Sequence, residues 1–128
     1  MNIDTKQLLS AAEAVSHAAY APYSKFSVGA AVLADDGRVF TGVNVENASY
    51  GLTICAERSA VFAAVAAGAT RLVAVAIYTP TPKPASPCGA CRQVLAEFAE
   101  NMQVLLGCQG DEIAEYTLDE LLPEQFKL

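Results

Sequence analysis

Residues 55–78 read CAERSAVFAAVAAGATRLVAVAIY, and this stretch decides the fold. Its first half, Cys55 to Ala67, has the composition of a helix that ends at Gly68, and residues 60–67 are apolar on every face. Because a helix that is apolar all round is buried on all sides, we expect this one inside the molecule. The second half, Arg71 to Tyr78, holds a continuous apolar run typical of a strand covered on both faces. The stretch therefore predicts a buried helix followed by a buried strand.

Upstream of this stretch, the pattern predicts a helix and a hairpin. Residues 3–20 carry apolar side chains near helical spacing, with Asp4 as a plausible cap. Phe26 to Ala34 and Val39 to Glu46 are predicted strands, and the sequence Asp-Asp-Gly-Arg between them is a typical hairpin turn.

Downstream, a proline-rich loop leads into a second helix and strand. The loop, Thr79 to Pro87, contains four of the six prolines. The predicted elements that follow are a helix Gly89–Glu100, a strand Gln103–Cys108, a short edge strand Glu112–Tyr116 and a last helix Thr117–Leu122. A hairpin followed by strand–helix crossovers implies an α/β fold with a mixed sheet and helices on both faces.

The size and hydropathy of the chain predict one domain that associates with copies of itself. With 128 residues, the chain is long enough for one ordinary domain, residues 1–128, and too short for two. It is 53% hydrophobic with a mean hydropathy of +0.30. Because a small monomer has much surface to keep wet, this apolar excess favours an oligomer.

Charge narrows the class of partner. The formal net charge is −6, from 8 basic and 14 acidic residues. Attraction to a phosphate backbone needs the opposite sign, so a neutral small molecule is a better substrate than a nucleic acid.

The sequence has neither a secretory signal pattern nor an apolar run of transmembrane length, which favours the cytoplasm and no membrane partner. In a reducing compartment, the four cysteines are better candidates for metal ligands, catalytic thiols or core residues than for disulfides.

A motif in two halves carries the chemistry: Cys55-Ala56-Glu57, and Pro87-Cys88-Gly89-Ala90-Cys91. Each half lies at the predicted start of a helix, where free N–H groups and the helix dipole stabilise thiolates. Cys88 and Cys91 are three residues apart and share a face of one turn, and Cys55 arrives from another helix. Three thiolates suit zinc and leave a fourth position for water.

Two charged residues follow the first ligand. Glu57 lies near enough to a water on the metal to move its proton, which predicts a general acid and base. Three thiolates make zinc electron-rich, and Arg58 is the candidate for the positive charge that offsets this.

Other interpretations of the cysteines stay open from the residues alone. Cys88 and Cys91 could form a redox pair, because C-x-x-C at a helix start is the usual form of that motif. A closed structural zinc site could recruit Cys108 or His17 as a fourth ligand. Buried cysteines are also common in cores, which is our interpretation of Cys108; His17 receives no role.

At these motifs the sequence resembles the small cytidine deaminases of the homotetrameric, zinc-dependent kind. The resemblance covers nearly the whole chain, with no departure at a ligand position or at the catalytic carboxylate. It rests on residues 20–24 (YAPYS), 26–31 (FSVGAA), 42–50 (GVNVENASY), 55–58 (CAER), 87–93 (PCGACRQ) and 121–123 (LLP).

The resemblance implies a three-layer α-β-α sandwich with a mixed five-stranded sheet and one zinc ion per chain. It also implies hydrolytic deamination of cytidine and 2′-deoxycytidine to the uracil nucleosides and ammonia. Rival functions are a blasticidin-type nucleoside deaminase, a polynucleotide deaminase, and a zinc module or thiol redox protein without this activity. The negative charge and Cys in place of His at position 55 speak against the polynucleotide substrate.

The resemblance further implies roles in substrate binding. Asn44 and Glu46 are similar to the pair that binds the sugar, Phe26 to the aromatic residue against the pyrimidine, and Ala56 to the residue whose backbone meets the base. Tyr50 and Phe126 resemble residues that reach the site of a neighbouring subunit in a homotetramer.

Overall fold

The computed structural model describes residues 2–128, which fold into four α-helices and five strands. In chain order the elements are α1 (Thr5–Ser16), β1 (Gly29–Ala34), β2 (Val39–Val43), a 3-10 turn (Tyr50–Leu52), α2 (Ala56–Ala66), β3 (Leu72–Tyr78), α3 (Gly89–Glu97), β4 (Gln103–Gly107), β5 (Ala114–Thr117) and α4 (Leu118–Leu121).

The strands form one mixed sheet in the order β2-β1-β3-β4-β5. The hairpin β1–β2 is antiparallel, and β1 pairs on its other side with β3, also antiparallel. Strands β3 and β4 are parallel and are connected by α3, while β5 returns antiparallel on the edge. This confirms the predicted mixed five-stranded sheet.

Successive side chains of each strand point to opposite faces of the sheet. Helices cover both faces. On one face, Leu8 and Ala12 of α1 pack on Ala31 and Leu33 of β1. On the other face, α2, α3 and α4 bury a larger cluster against the sheet, which includes Ala30, Val32, Ala60, Val61, Ala64, Val75, Leu95, Val104 and Leu118. The three layers are therefore those expected. Within residues 2–128, none of the helices is long and apolar enough to cross a bilayer.

One glycine on β2 sets how closely α2 approaches the sheet. A Cβ atom on Gly42 would lie 2.2 Å from the backbone nitrogen of Ala60 and 2.8 Å from the carbonyl oxygen of Ala56. Any other residue would push the first two turns of α2 outwards. Gly42 therefore fixes the position of the helix that begins at the Cys-Ala-Glu motif.

The first helix and strand are shorter than predicted. Helix α1 ends at Ser16 instead of residue 20, because Tyr20 pairs with Val45 in an isolated bridge. Residues 26–28 lie outside β1, since the Asn44 side chain bonds their backbone: its Nδ2 donates to the carbonyl oxygen of Phe26 at 2.8 Å, and its Oδ1 accepts from the backbone N–H of Val28 at 2.8 Å.

The remaining bounds differ by a few residues at element ends. Strand β2 stops at Val43, and α3 stops at Glu97, where the carbonyl oxygen of Phe98 accepts from the N–H of Leu72 at 2.8 Å instead of continuing the helix. Strand β5 begins at Ala114. Thr117 belongs to β5 and caps α4 rather than lying inside it, in a reciprocal capping box with Glu120.

The expectation that α2 is buried on every side is wrong for the single chain. Ala60, Val61 and Ala64 face the core, but Phe62 is 50% and Val65 is 37% exposed. The sequence shows that the helix is apolar all round; only the packing shows that the sheet covers one of its faces.

Candidate active site

The starts of α2 and α3 bring three thiols together. Cys55 and Cys88 are the N-cap residues of the two helices, and Cys91 lies one turn into α3. Their Sγ atoms all lie within 4.8 Å of one another, and those of Cys88 and Cys91 are 3.4 Å apart. Ligand sulfurs at 2.3 Å from a tetrahedral zinc ion lie about 3.8 Å from each other, so this cluster fits the ion.

The surroundings of the cluster favour negative charge on the sulfurs. The Nη2 atom of Arg58 lies 3.4 Å from the Sγ of Cys55 and donates to it. The hydrogen bond from the Cys91 thiol, reinforced by Arg58, lowers the pKa of Cys55 to about 5. This contact places the Arg58 guanidinium beside the sulfurs, and its role in offsetting their negative charge stays a prediction. The helix dipoles of α2 and α3 act in the same direction.

Glu57 lies in the first turn of α2 and is buried, with 5% of its surface exposed. Burial raises the pKa of its carboxyl group above the usual range, since the charged form loses hydration. A carboxyl group with a raised pKa holds and releases a proton more readily near neutral pH, which is the property that general acid and base catalysis requires.

A cleft of about 560 Å³ opens beside these residues. This volume is in the range of small-molecule sites. It is bounded by one side of the three-thiol group, by the segment before β1, by the end of β2 and by the loop after β3. The lining residues are Ser24, Phe26, Val28, Asn44, Glu46, Thr53, Cys55, Ala56, Glu57, Ile77, Thr79, Ala85 and Ser86.

Four residues expected from sequence to bind substrate line this cleft. Phe26 is 40% exposed, which argues against the core role that a strand phenylalanine would ordinarily have. Ala56 is fully buried and directly follows Cys55 of the three-thiol group. Asn44 and Glu46 follow the end of β2 and lie on the same wall as Phe26.

Asn44 and Glu46 also shape the cleft. The Asn44 amide holds residues 26–28, as described above. Glu46 Oε1 accepts from the backbone N–H groups of Tyr23 and Ser24 at 3.0 and 3.1 Å, and Oε2 accepts from the Ser24 hydroxyl. The Ser24 hydroxyl and the two N–H groups lower the pKa of Glu46, so it is ionised at neutral pH.

Tyr50 and Phe126 do not line the cleft. Tyr50 is 77% exposed, contacts Tyr23 edge-on with the ring centroids 6.2 Å apart, and lines a shallow neighbouring pocket with Ser24 and Glu46. Phe126 is 70% exposed, and its backbone carbonyl oxygen accepts from Nε2 of Gln93 at 3.2 Å. Neither aromatic side chain lines the cleft of its own chain.

Sequence reasoning missed several residues that shape the site. Ser24, Thr53, Thr79 and Ser86 line the cleft, although neither the motifs nor the resemblance predicts a role for them. Arg92 joins the metal-binding loop to α4, since its Nε donates to the Pro87 carbonyl oxygen at 2.8 Å and its Nη1 to that of Leu121 at 2.6 Å. The available signals are the positions of Ser24 and Arg92 within the motifs 20–24 and 87–93, and the proline-rich composition of residues 79–87, which predicts a rigid loop.

Cys108 and His17 lie apart from the three-thiol group. Cys108 is buried, and its thiol lies within 3.4–3.7 Å of the carbonyl oxygens of Pro82, Gly110 and Glu112. His17 is the C-cap of α1. The group of three sulfurs that could hold a metal contains neither residue, so the geometry favours a three-ligand site over a closed one.

The family model of the cytidine and deoxycytidylate deaminase zinc-binding region matches residues 2–108. The chain belongs to this family. As the matched region is a zinc-binding one and the three sulfurs fit that ion, zinc is the cofactor of this family member. Solved structures of the family share this fold.

Relatives of this family member match over almost all of its length. A cytidine deaminase from Halalkalibacterium halodurans is 49% identical over 125 residues, which is 97% of this chain and 95% of that protein. One from Mycobacterium tuberculosis is 43% identical over 127 residues, covering 99% and 92%. The crystal structure of cytidine deaminase from Burkholderia pseudomallei superposes with a TM-score of 0.93 at 46% identity, covering 97% of this chain and 100% of that one.

Proposed function

We propose that this chain catalyses the hydrolytic deamination of cytidine and 2′-deoxycytidine, giving uridine or 2′-deoxyuridine and ammonia. The observation that carries the proposal is the buried carboxylate of Glu57 beside three clustered thiols at the inner end of a cleft of about 560 Å³. The relatives at 43–49% identity are cytidine deaminases, so the blasticidin-type alternative is not favoured.

The two halves of the site come from residues 24–57 and 77–91, so we treat residues 1–128 as one deaminase domain.

Cys55, Cys88 and Cys91 are the proposed ligands of one zinc ion per chain. Bound zinc supplies a Lewis acid that makes water an effective nucleophile near neutral pH. The N-termini of α2 and α3 and the Arg58 guanidinium stabilise the negative charge of the thiolates. Arg58 thereby keeps the site from becoming too electron-rich for this chemistry.

Glu57 moves the protons of the reaction. Its carboxylate takes one proton from water as the water oxygen bonds to C4 of the ring, and its Oε–H group then gives that proton to N3. A second proton passes through the same carboxylate from the new hydroxyl group on C4 to the amino nitrogen. The C4–N bond breaks, ammonia leaves, and C4 keeps the oxygen as a carbonyl group. The burial that raises the pKa of Glu57 suits both directions of transfer.

The cleft walls bind the rest of the nucleoside. Asn44 and Glu46 are the proposed partners of the sugar hydroxyls, since an amide both donates and accepts hydrogen bonds and an ionised carboxylate accepts them from hydroxyl groups. Phe26 offers a partly exposed ring to the pyrimidine, and the backbone of Ala56 lies beside the base. Because the substrate is uncharged, no basic patch is needed.

We further propose that four copies assemble in the cytoplasm, with Tyr50 and Phe126 completing the site of a neighbouring subunit. Both side chains are mostly exposed in the single chain, as is the outer face of α2 at Phe62 and Val65. Burial of such apolar surface is the dominant favourable term in association.

The test of the reaction is the ultraviolet spectrum of cytidine incubated with purified protein of known zinc content. We expect conversion to uridine with release of one ammonia per nucleoside, in wild-type protein that carries one zinc per chain. Zinc-loaded protein that leaves both cytidine and 2′-deoxycytidine unchanged would show that the substrate is a different one.

A further inference from the structure

A loop after β3 forms one wall of the cleft. The proposed mechanism gives no role to the hydrogen bonds that hold this loop in place. Residues 79–87 leave the end of β3, and Ala85 and Ser86 of this loop line the cleft directly before Pro87 and the ligand Cys88. Thr79, where the loop begins, is one of four buried polar residues within the described chain, and it lines the cleft as well.

A chain of hydroxyl groups holds the first half of this loop. The Thr81 hydroxyl donates to the carbonyl oxygen of Lys83, with an oxygen–oxygen distance of 2.6 Å. Thr79 Oγ1 lies 2.8 Å from Thr81 Oγ1. A hydroxyl has one proton, and Thr81 uses its proton for the short bond to Lys83, so Thr79 is the donor between the two threonines. The carbonyl oxygen of Gly107, at 3.5 Å from Thr79 Oγ1, is the more distant acceptor for the same proton. The chain therefore runs in one direction, from Thr79 through Thr81 to Lys83.

The same segment is fixed from its other side by the turn after β4. The backbone N–H of Gln109 donates to the carbonyl oxygen of Thr81 at 2.9 Å. A Cβ atom on Gly110 would lie 2.6 Å from the carbonyl oxygen of Pro82, so the two backbones pass very close together. Residues 81–83 are held on both sides, and this fixes the point from which residues 85 and 86 extend to the cleft.

We infer that Thr79 and Thr81 are positioning residues, whose hydroxyl chain sets the place of the cleft wall at Ala85 and Ser86 and so controls how tightly the nucleoside is held. The inference rests on the proposed function. It assigns the pair an effect on substrate binding, not on proton transfer, because Glu57 and the three thiols come from the helix starts rather than from residues 79–86.

The experiment compares Thr79→Val and Thr81→Val with wild type by KM and kcat for cytidine, zinc content and melting temperature. Valine keeps the shape of threonine but removes the hydroxyl. Loss of one or two neutral hydrogen bonds should raise KM roughly 2- to 10-fold with kcat within about twofold of wild type. Thr81→Val should have the larger effect, since it removes the bond to Lys83 too.

Thr79→Ser and Thr81→Ser should restore KM. Thr70→Val, at an exposed threonine before β3, is the matched control.

The double variant Thr79→Val/Thr81→Val sharpens the test, because two residues of one chain should show effects that do not add. A double variant no worse than Thr81→Val supports the inference. An unchanged KM in both single variants overturns it, as does a fall in kcat that follows loss of zinc, which would place the effect at the metal. If zinc-loaded wild type fails to convert cytidine, the proposed function is wrong, and so is the inference. If the wild type is active and the valine variants have its KM, only the inference is wrong.

Discussion

The buried residues around the thiol cluster and the exposed aromatic residues outside the cleft are built in different ways. We call these two groups the inner and the outer end of the site. At the inner end, Glu57, Ala56 and Cys91 are buried at the starts of two helices that pack on the sheet. At the outer end, Tyr23, Tyr50 and Phe126 belong to loops and the chain terminus, and at least half of each side chain is exposed. The inner end is complete within one chain, whereas the outer end presents aromatic surface with little to pack against.

The contrast separates two kinds of contribution to the proposed reaction. Groups at the inner end have fixed positions and a perturbed pKa, as groups that take part in bond making require. The side chains at the outer end are exposed and can contact another molecule. Changes at the inner end should therefore reduce kcat or metal content, and changes at the outer end should mainly alter KM.

The largest effect is expected at Glu57. The Glu57→Gln variant keeps the size and burial of the side chain but cannot take up a proton, so kcat should fall roughly 10²- to 10⁴-fold. Steady-state kinetics with parallel zinc analysis checks this, and zinc per chain should be unchanged. Glu97→Gln, on the exposed side of α3, is the control and should behave as wild type. Wild-type turnover in Glu57→Gln would remove the residue from the mechanism.

Next comes the comparison of two buried cysteines, Cys91 and Cys108. Cys91→Ser removes one of three clustered sulfurs, so most of the bound zinc and the activity should be lost together. Cys108→Ser should retain zinc and turnover, because that thiol contacts three backbone carbonyl oxygens and is not part of the three-thiol group. Zinc content by atomic emission, measured after gel filtration, checks the pair. Equal loss of zinc from both variants would contradict a three-cysteine site.

A smaller effect is expected from Gly42→Ala. The added Cβ would lie 2.2 Å from the backbone of Ala60, so α2 must shift. Overpacking of this kind costs about 1–3 kcal/mol of the free energy of unfolding, and turnover should fall because the same helix carries Glu57. Urea denaturation and kinetics check both. Gly51→Ala is the matched control, since nothing lies within 4 Å of its added Cβ; a similar loss there would show that the contact with α2 is not the cause.

The smallest effect is expected at the outer end. Tyr50→Ala and Phe126→Ala should each raise KM roughly 2- to 10-fold, as loss of one aromatic contact implies, with kcat nearly unchanged. Sedimentation velocity of the wild type at assay concentration should show tetramers. Tyr116→Ala, on the edge strand β5, is the control. A monomeric wild type, or variants with normal KM, would reject the role of these residues in a neighbouring site.

Much of the fold could be predicted because its signals are local. The apolar runs of β3 and β4, the Asp-Gly turn and the cap at Asp4 each act over a few residues, and the structure confirms the elements they predicted. The errors lie at element ends. There, a side chain such as Asn44 or a backbone group such as the N–H of Leu72 competes for the hydrogen bonds that would have extended a strand or helix.

The candidate metal site could also be predicted, since the spacing of Cys88 and Cys91 places both on one helical turn whatever surrounds them. The cleft walls could not. No local pattern assigns Ser24, Thr79 or Ser86 to the site, and they reach it only because distant segments converge. Similarly, the all-apolar composition of α2 gave no sign of which face the sheet would cover and which would stay exposed.

The sequence by itself determined the chemistry of this protein: three cysteines and a glutamate at helix starts, in a chain with an acidic balance and the elements of an α/β sheet. Those properties depend on residue type and short spacing, which folding does not alter. Only the tertiary structure decided that Cys55 meets Cys88 and Cys91, that Gly42 brings α2 down onto the sheet, and that Thr79 and Thr81 hold a cleft wall. These depend on contacts between residues far apart in the chain, which local sequence does not specify.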